Sequence, residues 1–270
     1  ESGNIPALHT NGIKISNYDY LKKLKEAGLV EIHLQLDGFD DNTYQILRGE
    51  RLLNIKRKAL ENIKKLNIPT ILQVAISKNL NEKQIKPIFD YSIKNDFVKG
   101  ILYKSISYQG VAGLSLKNQL TVDEQINIIE RETRGRISKQ EFIQFQKLFY
   151  IYLNLIKTPR CFYNHYFLVL RTKKGYKTIS ELINLDKIEK NLDKYKYLHT
   201  KNRILAYLYL NLIILRLVNY QTVPLLYHSL ILFFNKIFLS KHFVFGKSGL
   251  TNKSKFLIIE FVNPDLKKIL

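Results

Sequence analysis

Between residues 5 and 110 short apolar runs alternate with longer amphipathic ones, and turn residues separate the two kinds. Leu8 ends the first apolar run just before the turn Thr10-Asn11-Gly12. Tyr20, Leu21, Leu24, Ala27 and Leu29 then recur at helical spacing, with Gly28 as the break. Residues 30–36 alternate apolar and polar side chains with period two and stop at Asp37-Gly38, which predicts a strand ending in a turn. A helix is predicted over 52–66, where Leu53, Lys56, Ala59, Leu60 and Ile63 share one stripe. A strand over 70–76, a helix over 82–94 and a strand over 99–107 complete the series. Strands separated by helices predict a parallel sheet, because a parallel pair needs a crossover of that length.

Beyond Gly110 the pattern changes. Thr121 followed by Val122, Asp123 and Glu124 predicts a capped helix with acid in its first turn, running towards Arg134 and stopping at Gly135. An aromatic-rich stretch over 142–156 follows, then a predicted hairpin within 167–179 about Lys174-Gly175, then a charged helix in the 180s. Residues 204–239 are the most apolar of the chain, but Arg216, His228, Asn235 and Lys236 interrupt them. Neither apolar run reaches the roughly 20 clean residues of a bilayer span. A buried helical pair is the reading, with contact at a membrane surface as the alternative. The expected division is a βα region over 1–118 and a mainly helical region over 119–270.

Composition narrows the chemistry more than the fold. The chain carries 43 Lys+Arg against 23 Asp+Glu, a net charge of +20, which admits nucleic acid or anionic lipid as partners. The lysines are spread over almost every segment together with Asn, Ile and Tyr, as codon bias would produce, and nucleic acid is not the expected partner. One cysteine, Cys161, closes no internal disulfide and anchors no zinc or iron-sulfur site alone. The chain opens on Glu1 and contains no methionine, which reads as an internal fragment. No basic-then-apolar pattern of a signal peptide stands within residues 1–9.

In a parallel βα architecture ligands sit at the carboxyl ends of the strands. Those ends read His9-Thr10-Asn11-Gly12, Gln35-Leu36-Asp37-Gly38, Ser77-Lys78-Asn79-Leu80-Asn81 and Ser105-Ile106-Ser107-Tyr108-Gln109-Gly110. Each alone is ordinary turn chemistry. In this order, with Phe39-Asp40-Asp41, Tyr44 and Ile46-Leu47-Arg48-Gly49 after the second end, the chain resembles the middle of a radical S-adenosylmethionine enzyme. The resemblance covers roughly residues 5–140 and is nearest to the archaeal tetraether lipid synthase and methanogen pterin methylase type.

What the resemblance implies is the C-terminal portion of a (βα)6 partial TIM-type barrel with parallel strands, followed by the mainly helical region. Its third strand would end at His9-Thr10, and the C-x3-C-x2-C loop that holds a [4Fe-4S] cluster would lie upstream of Glu1. The cofactors of intact relatives are S-adenosylmethionine (SAM) and that cluster, whose electron cleaves the sulfonium to a 5′-deoxyadenosyl radical. The cluster is not expected in this chain alone. The positions that would face SAM are Thr10 and Asn11, Gln35, Arg48, Gln73 and Asn81. A side-chain amide at Gln35 suits a carboxylate or a ribose hydroxyl, and Arg48 suits a carboxylate as a bidentate fork.

The sequence also departs from the family. Lys104-Ser105 stands where close relatives carry Gln-Pro, and Thr158-Pro159-Arg160-Cys161 resembles a cluster-ligating segment whose companion cysteines are missing. Cys161 and His165 have a C-x3-H spacing, but two ligands make no structural zinc site. His33 reads as a packed strand residue, and His199, His228 and His242 form no constellation. No serine carries a nucleophile-elbow glycine pair. The resulting expectation is a fragment or degenerate radical SAM protein of a lipid- or pterin-modifying type, inactive alone, cytoplasmic with possible peripheral membrane contact. The rival is a basic, non-catalytic protein that binds RNA or an anionic membrane surface.

Overall fold

A computed structural model describes residues 6–106, 118–155, 164–191 and 256–262, with scattered positions between 201 and 212. The strands β1 (Ala7–Thr10), β2 (Glu31–Gln35), β3 (Thr70–Ile76) and β4 (Val98–Ser105) pair in that order, all parallel. The crossovers are α1 (Tyr18–Glu26), then α2 (Asp41–Arg48) with α3 (Leu53–Leu66), then α4 (Ile85–Lys94). Local chemistry fixes their starts and stops. Asn17 caps α1 by accepting from Tyr20 N, and Asp40 caps α2 by accepting from Thr43 N. Gly49, at φ 78°, ends α2 in the left-handed region that favours glycine.

Three helices and three strands follow: α5 (Val122–Glu132), α6 (Lys139–Leu155), β5 (Asn164–Thr172), β6 (Gly175–Thr178), α7 (Leu185–Lys190) and β7 (Phe256–Val262). Thr121 and Glu124 form the full capping box at the start of α5. β5 and β6 are the antiparallel hairpin that the sequence predicts. β7 inserts between β4, to which it is parallel, and β5, to which it is antiparallel. The result is one mixed, mostly parallel sheet in the order β1-β2-β3-β4-β7-β5-β6.

Three features went unread in the sequence. The short helix α2 fills a stretch that offers only two turns of pattern, too little to register as amphipathic. The helix predicted over 82–94 begins as a 3-10 turn, Glu82–Gln84, before α4. Besides the predicted hairpin, the expected mainly helical region contributes a further strand, β7, a largely apolar run of seven residues whose partners are distant in sequence. The turn at Tyr108-Gln109-Gly110, Thr158-Pro159-Arg160-Cys161, His199, His228, His242 and nearly all of 204–239 lie outside the described residues. Among the described residues no helix is long and apolar enough to cross a membrane.

Side chains alternate between the two faces of the sheet. Ile32, Leu34, Leu72, Val74, Ile101 and Tyr103 point to one face, where each is at most 1% exposed. Ala59 and Ile63 of α3, Ile88 and Phe89 of α4, and Phe142 of α6 pack in the same core. Each of the buried Ile, Leu, Val and Phe side chains contributes roughly 1.5–3 kcal/mol by leaving water. The opposite face carries Glu31, His33 and Gln35 from β2, Gln73 from β3 and Lys104 from β4, and most of these are only half-buried or exposed.

Candidate functional site

A cavity of about 330 Å³ opens at the carboxyl ends of β1, β2 and β3. Thr10, Asn11, Gln35, Arg48 and Gln73, five of the six residues nominated from sequence, line it together with His9, Asp37 and Lys104. Gly12 lets the chain turn beneath this rim: its φ is +88°, and a Cβ there would meet Leu34 Cδ1 at 3.0 Å. Thr10 Oγ1 accepts from Gly12 N and Asn11 Oδ1 from Ile13 N, so both side chains also shape the turn that presents them.

Asp37 is the pivot of the site. It is fully buried, and its two oxygens accept four hydrogen bonds: two from Arg48, one from Gln35 Nε2 and one from Ala75 N. The bidentate fork expected of Arg48 therefore exists, but the carboxylate it grips is Asp37, at 2.9 and 3.1 Å. Sequence reading took Asp37 for turn chemistry alone. A buried charge needs this degree of pairing, since an unsatisfied carboxylate in that position is strongly disfavoured.

Asn81 is the sixth nominated residue, and the structure does not bring it into the cavity. It is buried and fully engaged: Nδ2 donates to Asp37 O and Ala75 O, and Oδ1 accepts from Ser77 N. It braces the ends of β2 and β3 from behind. Asparagine at a strand-end turn has the same sequence signature whether it faces ligand or backbone, so pattern alone does not separate the two roles.

Lys56 was read as part of the apolar stripe of α3, and it does lie on that face. Its side chain is completely buried and climbs between the strand ends, where Nζ donates to Asn11 O at 2.5 Å and Gln35 O at 2.9 Å. Nζ also sits 5.4 Å from the centre of the Tyr44 ring. Burial pulls its pKa down to about 8, against the opposing attraction of Asp37. The same burial, with Asp37 close by, raises the Tyr44 phenol, which donates to Gly38 O.

His33 is the largest departure from the sequence reading. It is half-buried on the polar face, where its Nε2 lies 2.7 Å from Glu31 Oε1 and its ring stacks on His9 with centroids 4.1 Å apart. Gln73 Nε2 lies 3.3 Å from His9 Nδ1 and 3.2 Å from His33 Nδ1. Partial burial, then His33 and then Lys104, lower the pKa of His9. The signal was present in the sequence: Glu31, His33, Gln35 and Asp37 put a polar side chain at every second position of one strand. A hollow of about 390 Å³ near Gln144 and residues 180–186 has no comparable chemistry. Its acids are engaged, Glu181 by Thr178 N and Arg136, and Asp186 by Gln144.

Residues 2–91 match the Radical SAM superfamily model. The 7,8-dihydro-6-hydroxymethylpterin dimethyltransferase of Methanocaldococcus jannaschii is 38% identical over 139 residues, 50% of this chain and 28% of that protein. The GTP 3′,8-cyclase of Staphylococcus epidermidis is 32% identical over 131 residues, 46% of this chain and 36% of its own. A probable GTP 3′,8-cyclase of Pyrococcus abyssi is 30% identical over 88 residues, 33% and 28% respectively. The chain thus spans little more than a third of the length of these relatives, or less. The parallel strands and crossovers are consistent with a partial TIM-type fold of the kind that the matched family model describes.

The superfamily implies SAM and a [4Fe-4S] cluster in intact relatives, and the two fare differently against these side chains. Gln35 and Gln73 keep amide oxygens without a partner among the described residues, and Lys104 makes no hydrogen bond or ion pair there. Acceptors beside a cation suit a ligand with hydroxyls and a carboxylate, so the cavity fits SAM. A cluster of this class needs three thiolates, and the 270 residues hold one cysteine. The cluster does not fit these residues. Among the described residues no group of three metal-ligating side chains exists either.

Proposed function

We propose that the strand-end cavity binds SAM, and that the chain is the barrel portion of a radical SAM protein acting on a pterin or a related purine-like heterocycle. The observation that carries this reading is the convergence of Gln35, Gln73 and Lys104 on one cavity inside the segment that matches the superfamily. Lys104 supplies charge for the methionine carboxylate. Thr10, Gln35 and Gln73 supply hydrogen bonds for hydroxyls, and Asp37 with Arg48 and Lys56 holds the rim in place. The pterin or purine class is favoured over a lipid because the relatives named above carry pterin and GTP in their names.

These residues alone leave SAM intact, because nothing in them anchors three irons' worth of thiolate. The test is calorimetry with SAM and S-adenosylhomocysteine, alongside an assay for 5′-deoxyadenosine under reductant. Expected is weak binding, with Kd about 0.1–1 mM from a few net hydrogen bonds and one charge. Lys104→Ala weakens it about tenfold, and no 5′-deoxyadenosine forms. Absence of binding refutes the cavity assignment, and reductant-dependent 5′-deoxyadenosine refutes the thiolate argument.

A further inference from the structure

The lysines look evenly spread along the sequence, but the fold gathers one group of them at a single end of the molecule. β1 to β4 are parallel, and each crossover helix returns against them, so α1, α3 and α4 all finish at the amino-terminal end of the sheet. The last turn of α1 carries Lys23, that of α3 Lys64 and Lys65, and that of α4 Lys94. Lys25 Nζ donates to Leu66 O at 2.5 Å and so ties the ends of α1 and α3 together. β5 runs against β7 and hence against β4, so its hairpin turn, with Lys173 and Lys174, reaches the same end. Buried Arg171 fixes the hairpin there by donating to Ser92 O in α4 and to Val98 O at the start of β4. Lys23, Lys64, Lys65, Lys94, Lys173 and Lys174 are all exposed.

The cavity end has a different balance. There the helices begin on acid: Asp19 in α1, Asp41 in α2, and Asp123 with Glu124 in α5. Helix dipoles favour acid where a helix starts and base where it finishes, which accounts for part of this polarity. They do not account for Lys173 and Lys174, which sit on the turn between two strands. Glu26 and Asp96 stand among the lysines, but each has a further cation beside it: Lys22 lies 3.9 Å from Glu26, and Arg171 lies 3.9 Å from Asp96. The exposed lysines therefore keep their charge as a group.

We propose that this amino-terminal end docks on an anionic membrane surface. Seven strands about 5 Å apart make the end about 30 Å wide, and its lysines run from α1 near one edge of the sheet to the β5–β6 hairpin at the other. Point charges spread over a broad end match a plane of anionic headgroups. Nucleic acid calls instead for arginine forks or stacking aromatics among the cations. The fork of Arg171 is occupied by backbone carbonyls, and the ring of Tyr176 beside the turn is covered by Phe89 and by the Arg136 guanidinium. The cavity opens at the other end of the strands and faces away from such a surface, as suits a water-soluble ligand.

The test is co-sedimentation of the chain with vesicles of phosphatidylcholine alone or with about a third of phosphatidylglycerol. Expected at about 0.1 M NaCl is binding to the anionic vesicles at least about tenfold tighter than to the neutral ones, and release at about 0.5 M. Lys64→Glu with Lys65→Glu, and Lys173→Glu with Lys174→Glu, each weaken it about tenfold or more. Lys14→Glu with Lys83→Glu removes the same charge from exposed positions at the cavity end and changes it less than about threefold. Circular dichroism checks that each pair, being exposed, leaves the fold in place. Failure to bind anionic vesicles at about 0.1 M NaCl, equal binding to neutral ones, an unchanged affinity in either amino-end pair, or an equal loss in the cavity-end pair overturns the proposal. So does RNA that remains bound, by fluorescence anisotropy, at about 0.5 M NaCl where the vesicles have released the chain.

Discussion

The two faces of the central sheet obey different rules. On the helix-covered face Ile32, Leu34, Leu72 and Val74 are interchangeable in kind, and what holds them is area removed from water. On the other face Glu31, His33, Gln73 and His9 are joined by directed polar contacts, and Gln35 is bonded to Asp37. One face specifies that there is a sheet, and the other specifies what the sheet can recognise. Asp37 joins the two regimes, because it is buried as deeply as the core yet bonded entirely to the polar rim.

The sharpest way to break this distinction is at that joint. Asp37→Ala leaves Arg48, Gln35 Nε2 and Ala75 N without their acceptor, and urea unfolding is expected to show a loss of about 3–5 kcal/mol. Leu72→Ala, on the covered face, opens a cavity and is expected to lose about 3 kcal/mol, within the usual range of such deletions. The two differ in their effect on the rim. The Leu72 variant that remains folded keeps its ligand affinity, whereas the Asp37 variant loses it together with stability. Equal loss of affinity in both would mean that the faces are not separable.

How legible each face was follows from the same contrast. Strand and helix periods depend on near neighbours, so β2, β3 and α3 were readable from 30–36, 70–76 and 52–66. The parallel pairing followed from crossover length. β7 was not, because a short, largely apolar run at 256–262 has no local signal for insertion between β4 and a hairpin distant in sequence. In the site, strand position located Thr10, Asn11, Gln35 and Gln73, and the Arg48-Gly49 pair located Arg48. It did not separate Asn81, which faces backbone, or foresee that Arg48 already holds Asp37. Lys56 and His33 were assigned by their stripe to packing, because periodicity says which face a residue occupies and is silent on what its polar end reaches.

A smaller effect probes Lys56, a cation that comes to the rim through the covered face. Its pKa lies near 8 in the folded protein, against an ordinary 10.5. Between those values the unfolded chain holds the proton and the folded protein has released it. Stability relative to Lys56→Met therefore rises as pH climbs from 8 to 10.5, by about 1–3 kcal/mol. Unfolding midpoints of the two proteins at pH 7.5, 9 and 10 check the sign. Wild-type stability that falls relative to Lys56→Met as pH rises would mean that Lys56 is stabilised as a cation and that its hydrogen bonds to Asn11 O and Gln35 O outweigh its burial.

The smallest expected effect on stability falls on the open face. Gln35→Leu and Gln73→Leu each remove an amide that is only half-buried, and neither opens a packed cavity. Their unfolding midpoints are expected within about 0.5 kcal/mol of the parent, as for surface substitutions in general. Gln73→Leu carries the larger share of that change, because it deprives two imidazole nitrogens of a donor, whereas Gln35→Leu takes only one of four bonds from Asp37. Differential scanning calorimetry of both variants at pH 7.5 resolves the ranking. A loss above about 2 kcal/mol in either would show that the polar network holds the fold together as the apolar core does, and the division between the faces would have to be redrawn.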